Sequence, residues 1–322
     1  MKSCSSRLAE ETLETTAGKR YLVEQAIGNT PLVEVTGLNP NPRVRILAKL
    51  EGNNPGGSIK DRPAYYMIAK AEESGELTRD KIILEATSGN TGIALAMIGA
   101  ARKYRVKLAM PACVSLERRS ILEAYGAEVV LSPAHEATDG AIRLAHQILK
   151  ETPGMYYMPN QYANENNVLA HYETTGPEIF SQTGGEVDIF MAGMGTGGTL
   201  MGVGRYLKEQ NRAIRIIGVE PRIGHKIQGL KNMKEAIVPP IYHEDRLDEK
   251  IVIEDEDAFE TARLLAIQEG LFVGMSGGAA IAAACKMAER IESGTIVTIL
   301  PDRGDRYLST TLFRSVCACC PP

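Results

Sequence analysis

Residues 82–96 read IILEATSGNTGIALA, and this stretch decides the fold class. An apolar strand runs into a small polar turn punctuated by glycine, and the turn runs into the start of a helix. Backbone N–H groups and hydroxyls at such a helix start form a cradle for an anion, and a substrate carboxylate would suit it. The same turn would also serve a well-capped helix that binds no ligand.

Similar apolar runs alternate with longer amphipathic segments along the rest of the chain, which indicates a mostly parallel sheet covered on both faces by helices. We predict strands at 82–87, 106–111, 127–132, 155–158, 187–192, 214–220 and 295–300. We predict helices at 92–104, 116–125, 140–151, 199–211, 258–269 and 279–291. In this α/β architecture ligands bind in strand-to-helix loops, usually between domains. Residues 53–57, rich in Pro and Gly, are the predicted crossing between two subdomains.

Length and charge set the outer limits. The 322 residues suffice for one large domain or two modest ones that share an interface. The formal net charge of -4 gives no attraction to nucleic acid or an anionic membrane. No apolar run approaches the ~18 residues that a membrane span needs. Residues 1–20 mix both charges with Ser and Thr and lack the apolar core of a secretory signal, so we expect a short N-terminal extension on a cytoplasmic protein.

Cysteine and histidine usage argues against a disulfide scaffold or a metal enzyme. Three of the six cysteines crowd into residues 317–320, which we interpret as exposed tail thiols. The five histidines stand apart, so no metal-ligand spacing is found and no metal is predicted. A G-x-S-x-G elbow is absent as well, which leaves a Ser-His-Asp hydrolase without support.

A second motif, NPGGSIKDR at 54–62, carries a lysine at a predicted helix start. Ser58 and Asp61 have the spacing of a capping box, which would place Lys60 in the first helical turn. The helix dipole there would depress the pKa of Lys60 and help its amine act as a nucleophile. A solvated surface lysine is the alternative.

Two more glycine-rich turns precede predicted helices. GMGTGGT at 193–199 fits G-x-G-x-x-G only weakly, although Glu220 has the spacing of a dinucleotide-binding acid. Its dense Gly and Thr content suits a single phosphate held at a helix N-terminus, and no Walker G-K-[ST] is present. GMSGGA at 274–279 could set a hydroxyl against a buried ligand or could serve tight helix packing.

The four segments, in this order, resemble the fold-type II pyridoxal-phosphate enzymes (tryptophan synthase β-like), and within them the cysteine synthases, or O-acetylserine sulfhydrylases. The resemblance runs from IGNTPL at 27–32 to RYLST at 306–310, nearly the whole chain. Residues 171–179 and 302–310 look like the B-type enzymes. Pro301 departs from them, because some B-type members carry a cysteine there.

The resemblance implies a role for each motif. Lys60 would be the catalytic lysine that forms a Schiff base with pyridoxal 5'-phosphate, and Asn90 would bond the ring hydroxyl of that cofactor. Ser276 would face the pyridine nitrogen, and a neutral hydroxyl there favours β-elimination over transamination. The cofactor phosphate would be held by Gly195, Thr196, Gly197, Gly198 and Thr199. The substrate carboxylate would be received by Thr87, Ser88, Thr91 and Gln161.

The implied reaction is β-replacement through an α-aminoacrylate intermediate, with Lys60 as general base. O-acetyl-L-serine or O-phospho-L-serine would lose its β-substituent and gain sulfide, or an equivalent sulfur donor, to give L-cysteine. Lys231 stands in a segment that often carries a cation in B-type relatives, so we expect it to aid O-phosphoserine. A cystathionine β-synthase, a serine/threonine dehydratase and a non-enzymatic binding protein on this fold are the alternatives. The dehydratases typically have Ser-Phe-Lys where this chain has Ser58-Ile59-Lys60.

The implied organisation is two α/β subdomains with the cofactor in the cleft between them. The predicted parts are a 1–20 extension, a smaller mobile subdomain at 53–162, a larger phosphate-binding subdomain at 21–52 plus 163–314, and a Cys-rich tail at 315–322. Expected partners are an amino-acid substrate and a sulfur donor, a second copy in a homodimer, and a sulfur-carrier protein where the sulfur is protein-borne. Neither nucleic acid nor a membrane is expected as a partner.

Overall fold

The computed structural model describes residues 22–87, 89–112, 114 and 116–313. Ser88 and the predicted N-terminal extension and Cys-rich tail therefore lie outside the described residues. The strands are β1 (Leu32–Glu34), β2 (Val44–Leu50), β3 (Ile82–Ala86), β4 (Arg105–Pro111), β5 (Glu128–Ser132), β6 (Tyr156–Tyr157), β7 (Ile189–Gly193), β8 (Arg215–Pro221), β9 (Glu249–Ile253) and β10 (Gly294–Leu300). The α-helices are α1 (Asp61–Ser74), α2 (Asn90–Arg102), α3 (Leu116–Ala124), α4 (Ala137–Glu151), α5 (Glu165–Ala170), α6 (Gly176–Gln182), α7 (Gly198–Gln210), α8 (Asp255–Gln268) and α9 (Met275–Ala288).

The strands form two sheets, as a fold-type II enzyme requires. The larger has the order β1-β2-β10-β7-β8-β9 and is parallel except for the β1–β2 pair. The smaller has the order β5-β4-β3-β6 and is parallel throughout. All strands of the smaller sheet come from residues 82–157, and the 51–60 segment leads from β2 of the larger sheet to α1. The exact subdomain boundaries stay a prediction.

Helices cover both faces of each sheet, so apolar residues on the strands are buried on both sides. In the larger sheet one face packs on α8 and α9 and the other on α6 and α7. In the smaller sheet α1 and α2 cover one face and α4 the other. This explains why the strands are nearly continuous apolar runs and not alternating ones.

Short helices and strands, and a strand interrupted by charged residues, were not predicted from the sequence. Helix α1 was anticipated only at its start, and β1, β2, β9, α5 and α6 were not predicted. The predicted strand at 155–158 shrinks to β6, Tyr156–Tyr157. β2 reads VRILAKL and is broken by Arg45 and Lys49, and Lys49 is nevertheless fully buried because the protein supplies it with a carboxylate.

Candidate active site

One narrow cleft lies where strands of both sheets end. β3 leads into Thr87, β7 into the 194–197 loop and β10 into Pro301 and Asp302. The cleft has a cavity volume of about 60 Å³. Its walls are formed by Ile59, Lys60, Asn90, Ala192, Gly193, Gly195, Thr196, Gly197, Thr199, Gly229, Leu230, Ser276, Ile299, Pro301, Asp302 and Tyr307. The structure thus brings together almost all of the residues predicted to hold a cofactor, and Gly198 follows directly at the start of α7.

A larger open groove, about 810 Å³, runs along α7 beside residues 245–248. It contains none of the predicted site residues and is flanked by charged side chains such as Lys208, Arg212 and Asp248. Size alone therefore does not identify the site, and the convergence of reactive and polar groups does.

Lys60 immediately precedes α1 as its N-cap residue, so its predicted place in the first helical turn is wrong. The predicted capping box is also absent. Ser58 Oγ accepts from the N–H of Lys60 at 3.2 Å, and the Asp61 carboxylate accepts from the N–H of Gly56. Ser58 also forms an isolated β-bridge with Asp302. The pKa of Lys60 is lowered to about 8, as expected in direction, but burial is the cause and the charge of Asp302 opposes it. Nearly neutral pH therefore leaves an appreciable fraction of the amine unprotonated.

The 194–197 loop presents backbone to the cleft. Gly197 has φ of +90° and lacks a side chain to cap α7. A Cβ at Gly195 would lie 2.9 Å from the carbonyl oxygen of Gly229, so only glycine fits there without a shift. Hydroxyls of Thr196 and Thr199 stand beside the helix start. Free N–H groups at a helix N-terminus together with hydroxyls make a binding site for a phosphate.

Asn167 and His171 contact the 194–199 segment through Thr196 and Thr199, and sequence reasoning missed both. Asn167 Nδ2 donates to Thr196 Oγ1 at 3.1 Å and to the carbonyl oxygen of Gln161 at 2.7 Å. His171 is fully buried, with Nε2 3.3 Å from Thr199 Oγ1 and Nδ1 2.9 Å from Thr175 Oγ1. Burial keeps the pKa of His171 well below its ordinary value, so the ring is neutral. The only signal was the 171–179 segment as a family marker, which gives no role.

The glycine-rich turn at 274–279 serves helix packing and also places a serine in the wall of the cleft. Ser276, in the first turn of α9, is buried and lines the cleft. Gly278, two residues on, serves packing, because a Cβ there would collide with the carbonyl oxygen of Ala258 in α8.

The predicted carboxylate site is assembled from two segments of the smaller sheet. Thr91 Oγ1 donates to Gln161 Oε1 at 2.7 Å, and both side chains are buried. Thr87 is buried too, and its hydroxyl accepts from the N–H of Gly89 at 3.2 Å. Hydroxyl, amide and the N-terminus of α2 therefore converge on one spot, which suits a carboxylate.

Asp302 was quoted in a family motif but given no role, and it proves central. Asn90 Nδ2 and the hydroxyl of Tyr307 each donate to its Oδ2 at 2.6 Å. Arg306 donates to the side-chain Oδ1 of Asn90 and to the backbone carbonyl oxygen of Gly56. These bonds hold the Asn90 side chain between Asp302 and Arg306 at the wall of the cleft. The other oxygen of Asp302 is buried without a hydrogen-bond partner.

Lys231 does not line the cleft, although its neighbours Gly229 and Leu230 do. Its ammonium lies 4.7 Å from the ring centroid of Tyr162, the residue after Gln161. Burial lowers its pKa, and Asp139 opposes that shift. The cation is therefore half-buried beside the predicted carboxylate site.

These groups fit pyridoxal phosphate. A half-buried lysine with a lowered pKa can condense with an aldehyde, while the glycine-rich start of α7 can receive a phosphate. Among the described residues, no group of three or more His, Cys, Asp or Glu could hold a metal ion. Within the same part of the chain, no helix is long and apolar enough to cross a membrane. Fold and site together define a two-sheet α/β enzyme of the pyridoxal-phosphate class.

Comparison with known proteins agrees. The family model described as "Pyridoxal-phosphate dependent enzyme" matches residues 23–302. Cysteine synthase B of Escherichia coli (strain K12) is 45% identical over 291 residues, which are 90% of this chain and 95% of the relative. Cysteine synthase of Aquifex aeolicus (strain VF5) is 46% identical over 321 residues, 97% of this chain and 98% of the relative. The crystal structure of cysteine synthase (OASS) from Entamoeba histolytica has a TM-score of 0.86 at 41% identity and covers 94% of both chains.

The chain belongs to the pyridoxal-phosphate dependent enzyme family, and within it to the cysteine synthases.

Proposed function

We propose that this chain makes L-cysteine by exchanging the β-acetoxy group of O-acetyl-L-serine for sulfide. The observation that carries the proposal is one cleft in which Lys60, with a pKa of about 8, faces the glycine-rich start of α7. The overall change balances as O-acetyl-L-serine plus hydrogen sulfide giving L-cysteine plus acetic acid. The relatives compared above are named cysteine synthases, and they match 90% and 97% of this chain.

Pyridoxal 5'-phosphate, when bound, supplies the electron sink that makes the α-proton of the amino acid acidic. The start of α7, with Thr196 and Thr199, would hold its phosphate. Asn90 would give up its bond with Asp302 for the ring hydroxyl, and Ser276 would take the pyridine nitrogen. A hydroxyl at that nitrogen does not hold it protonated as a carboxylate would, which favours elimination over transamination.

The remaining steps belong to the protein's own groups. Lys60 Nζ removes the α-proton as general base, and the same amine returns that proton when the product leaves. Thr87, Thr91 and Gln161 hold the α-carboxylate so that the α-proton lies before Lys60. Closure of the smaller subdomain over the substrate would exclude water from the cleft. Water would otherwise compete with sulfide for the β-carbon of the substrate.

The test is reconstitution of the purified protein with pyridoxal phosphate, followed by its visible spectrum and by cysteine formation from O-acetylserine and sulfide. Lys60→Ala should lose turnover and the visible absorbance of the cofactor linked to the lysine. Lys70→Ala, which removes a lysine with an exposed side chain on α1, should keep both. A colourless, fully active preparation would overturn the proposal. Preferred use of homocysteine would instead indicate a cystathionine synthase, and pyruvate from serine a dehydratase.

Thr91→Ala and Gln161→Ala test whether the proposed carboxylate site is distinct from the proposed cofactor site. Each removes a partner of the substrate carboxylate, so each should weaken amino-acid binding by ~1.5–3 kcal/mol with cofactor retained. Dialysis followed by absorbance measures retention. Release of cofactor from these variants would contradict the assignment of the carboxylate site.

We further propose that O-phosphoserine is a second donor, aided by Lys231. The support is the half-buried ammonium of Lys231 over Tyr162, next to Gln161. A lysine supplies a point charge and not a bidentate fork, so its preference for phosphate should be modest. Lys231→Ala should lower kcat/KM for O-phosphoserine selectively, and less so at high salt, while the exposed Lys234→Ala should not. Equal losses on both donors, or none, would remove Lys231 from this role.

A further inference from the structure

Glu220 is a buried carboxylate at the carboxyl end of β8 that the proposed reaction does not use. Only 3% of its surface is exposed. Its spacing after the glycine-rich turn at 193–199 is that of an acid that binds a ribose hydroxyl in dinucleotide-binding proteins. The structure gives it a different partner, because Glu220 Oε1 accepts from the backbone N–H of Met233 at 2.9 Å. Glu220 therefore binds a segment of its own chain and not a nucleotide.

The second oxygen of Glu220 faces a lysine that already has a nearer carboxylate. Glu220 Oε2 lies 3.7 Å from Lys250 Nζ, whereas Glu244 Oε1 lies 2.7 Å from the same ammonium. A buried glutamate needs such a partner for its charge. The hydrogen bond to Met233 is nonetheless the shorter of the two contacts of Glu220, so its role is to be sought in the segment that contains Met233.

The segment 229–233 is tied to the end of β8 at two consecutive residues. Met233 donates its N–H to Glu220, and Asn232 Nδ2 donates to the carbonyl oxygen of Pro221 at 2.8 Å. Both hydrogen bonds are buried. Because neighbouring residues of the segment bond neighbouring residues of the strand, the two bonds together fix the course of the segment relative to the larger sheet.

The other end of this segment contacts the loop that follows β7. The N–H of Lys231 donates to the carbonyl oxygen of Met194 at 2.7 Å. The carbonyl oxygen of Gly229 approaches Gly195 so closely that a Cβ there would lie 2.9 Å from it. The backbone of the segment thus lies directly against the loop that we propose as the phosphate site.

We propose that Glu220 is a positioning residue for the proposed phosphate site, since its hydrogen bond to Met233 holds the 229–233 segment against the 194–197 loop. The inference rests on the proposed function, because it takes this loop and the start of α7 as the site of the cofactor phosphate. Glu220 does not line the cleft itself and acts through the segment. Loss of the bond leaves the loop less fixed before a phosphate binds, so the affinity for pyridoxal phosphate should fall.

The test compares Glu220→Met with Glu220→Gln. Methionine is close in size but offers the N–H of Met233 only a weak acceptor, whereas glutamine keeps an acceptor oxygen. Equilibrium dialysis of the apoprotein should find Kd for pyridoxal phosphate raised about tenfold in Glu220→Met, as for loss of one charge-assisted hydrogen bond, and changed by at most about threefold in Glu220→Gln. The phosphorus NMR resonance of the bound cofactor should shift in Glu220→Met and not in Glu220→Gln. Hydrogen exchange at the amides of Lys231 and Met233 should become faster in the methionine variant alone.

The matched control is Glu244→Met, which removes the nearer carboxylate partner of Lys250 and leaves Glu220 in place. It should change neither the Kd, nor the phosphorus resonance, nor the exchange of the two amides. If Glu220→Met does not fold, Glu220→Asp keeps the charge and withdraws the carboxylate from Met233 by one methylene. The same three changes are then expected at smaller size.

Equal losses of affinity in Glu220→Met and Glu220→Gln would overturn the proposal, because the charge and not the bond to Met233 would then be what matters. Unaltered exchange at Met233, or an unshifted phosphorus resonance in Glu220→Met, would overturn it as well. None of these measurements needs turnover. A wild-type protein that binds pyridoxal phosphate and makes no cysteine would therefore refute the proposed reaction and leave the role of Glu220 to be judged on its own result.

Discussion

The start of α1, which follows Lys60, is anchored by a buried cluster of four charges whose disruption can be worked out. Arg62 Nε lies 2.7 Å from Glu51 Oε2 and Arg62 Nη1 2.6 Å from Glu178 Oε1, while Lys49 Nζ lies 2.8 Å from Glu178 Oε2. Two cations and two carboxylates make the cluster neutral. Glu178→Gln keeps the shape and leaves two buried cations facing one carboxylate.

The pKa of Glu178 gives the size of the free-energy loss expected from Glu178→Gln. Burial opposes ionisation, but Arg62 and Lys49 lower the pKa from 4.5 to about 2. At 1.36 kcal/mol per pH unit this corresponds to ~3 kcal/mol in favour of the ionised form. Removing one partner of a buried pair typically costs ~3–5 kcal/mol, which agrees. Because the pKa is depressed on folding, this stabilisation is complete above pH 4.5 and is lost as the pH falls toward 2.

Urea unfolding of the holoenzyme at pH 7 measures the loss. Glu178→Gln should lower the free energy of unfolding by ~3 kcal/mol. Lys49→Met removes the excess cation, so the double variant should lose clearly less than the sum of the two single losses. Glu178 also raises the pKa of Lys49, so in the variant Lys49 deprotonates more easily and the deficit should narrow between pH 7 and pH 9. Additive losses, or a deficit that does not change with pH, would refute this account of the cluster.

Three further outcomes follow from single contacts. Gly198→Ala places a Cβ against the Asn167 amide, so Asn167 must release Thr196. The affinity for pyridoxal phosphate, measured by equilibrium dialysis, should therefore fall about tenfold or more. Asp302→Asn removes the charge that raises the pKa of Lys60. The rate at which the apoprotein binds pyridoxal phosphate should therefore reach half of its maximum at a lower pH in this variant. Asp305→Asn, at an exposed carboxylate, should leave that pH unchanged. Burial raises the pKa of the Cys285 thiol to about 11, so peptide mapping after thiol alkylation at pH 8 should find Cys285 unmodified until the protein unfolds.

The regular parts of the fold could be predicted because their signal is local. Buried parallel strands such as β3, β7 and β10 are continuous apolar runs, and the helices between them are long enough to show their period. β2 escaped because Arg45 and Lys49 interrupt its apolar run. No local rule predicts that Glu178, far along the chain, will neutralise Lys49.

The residues of the candidate site also fall into a group that local sequence motifs predict and a group that they do not. Glycine-rich turns after strands located the cleft, since only glycine admits the backbone approach found at Gly195 and Gly197. Lys60 was correctly expected to have a lowered pKa, but the capping box was wrong, because the Ser58 hydroxyl accepts from Lys60 and the Asp61 carboxylate accepts from Gly56. Asn167, His171 and Asp302 act through contacts across many residues, so sequence spacing carries no trace of their roles.

Polar groups in and beside the cleft are paired with one another, and this bears on which ligands the protein would select. Asn90 bonds Asp302, Thr91 bonds Gln161, and Thr196 bonds Asn167. A neutral ligand that enters must exchange one ordinary hydrogen bond for another, which contributes only ~0.5–1.5 kcal/mol net. An anionic phosphate or carboxylate gains more, because charge-assisted bonds are roughly twice as strong and the N-termini of α2 and α7 favour negative charge. Asn167 also links the Gln161 peptide to Thr196, because its Nδ2 donates to both. The proposed carboxylate site and the proposed phosphate site therefore share one hydrogen-bonded side chain, and we expect Asn167→Ala to disturb both.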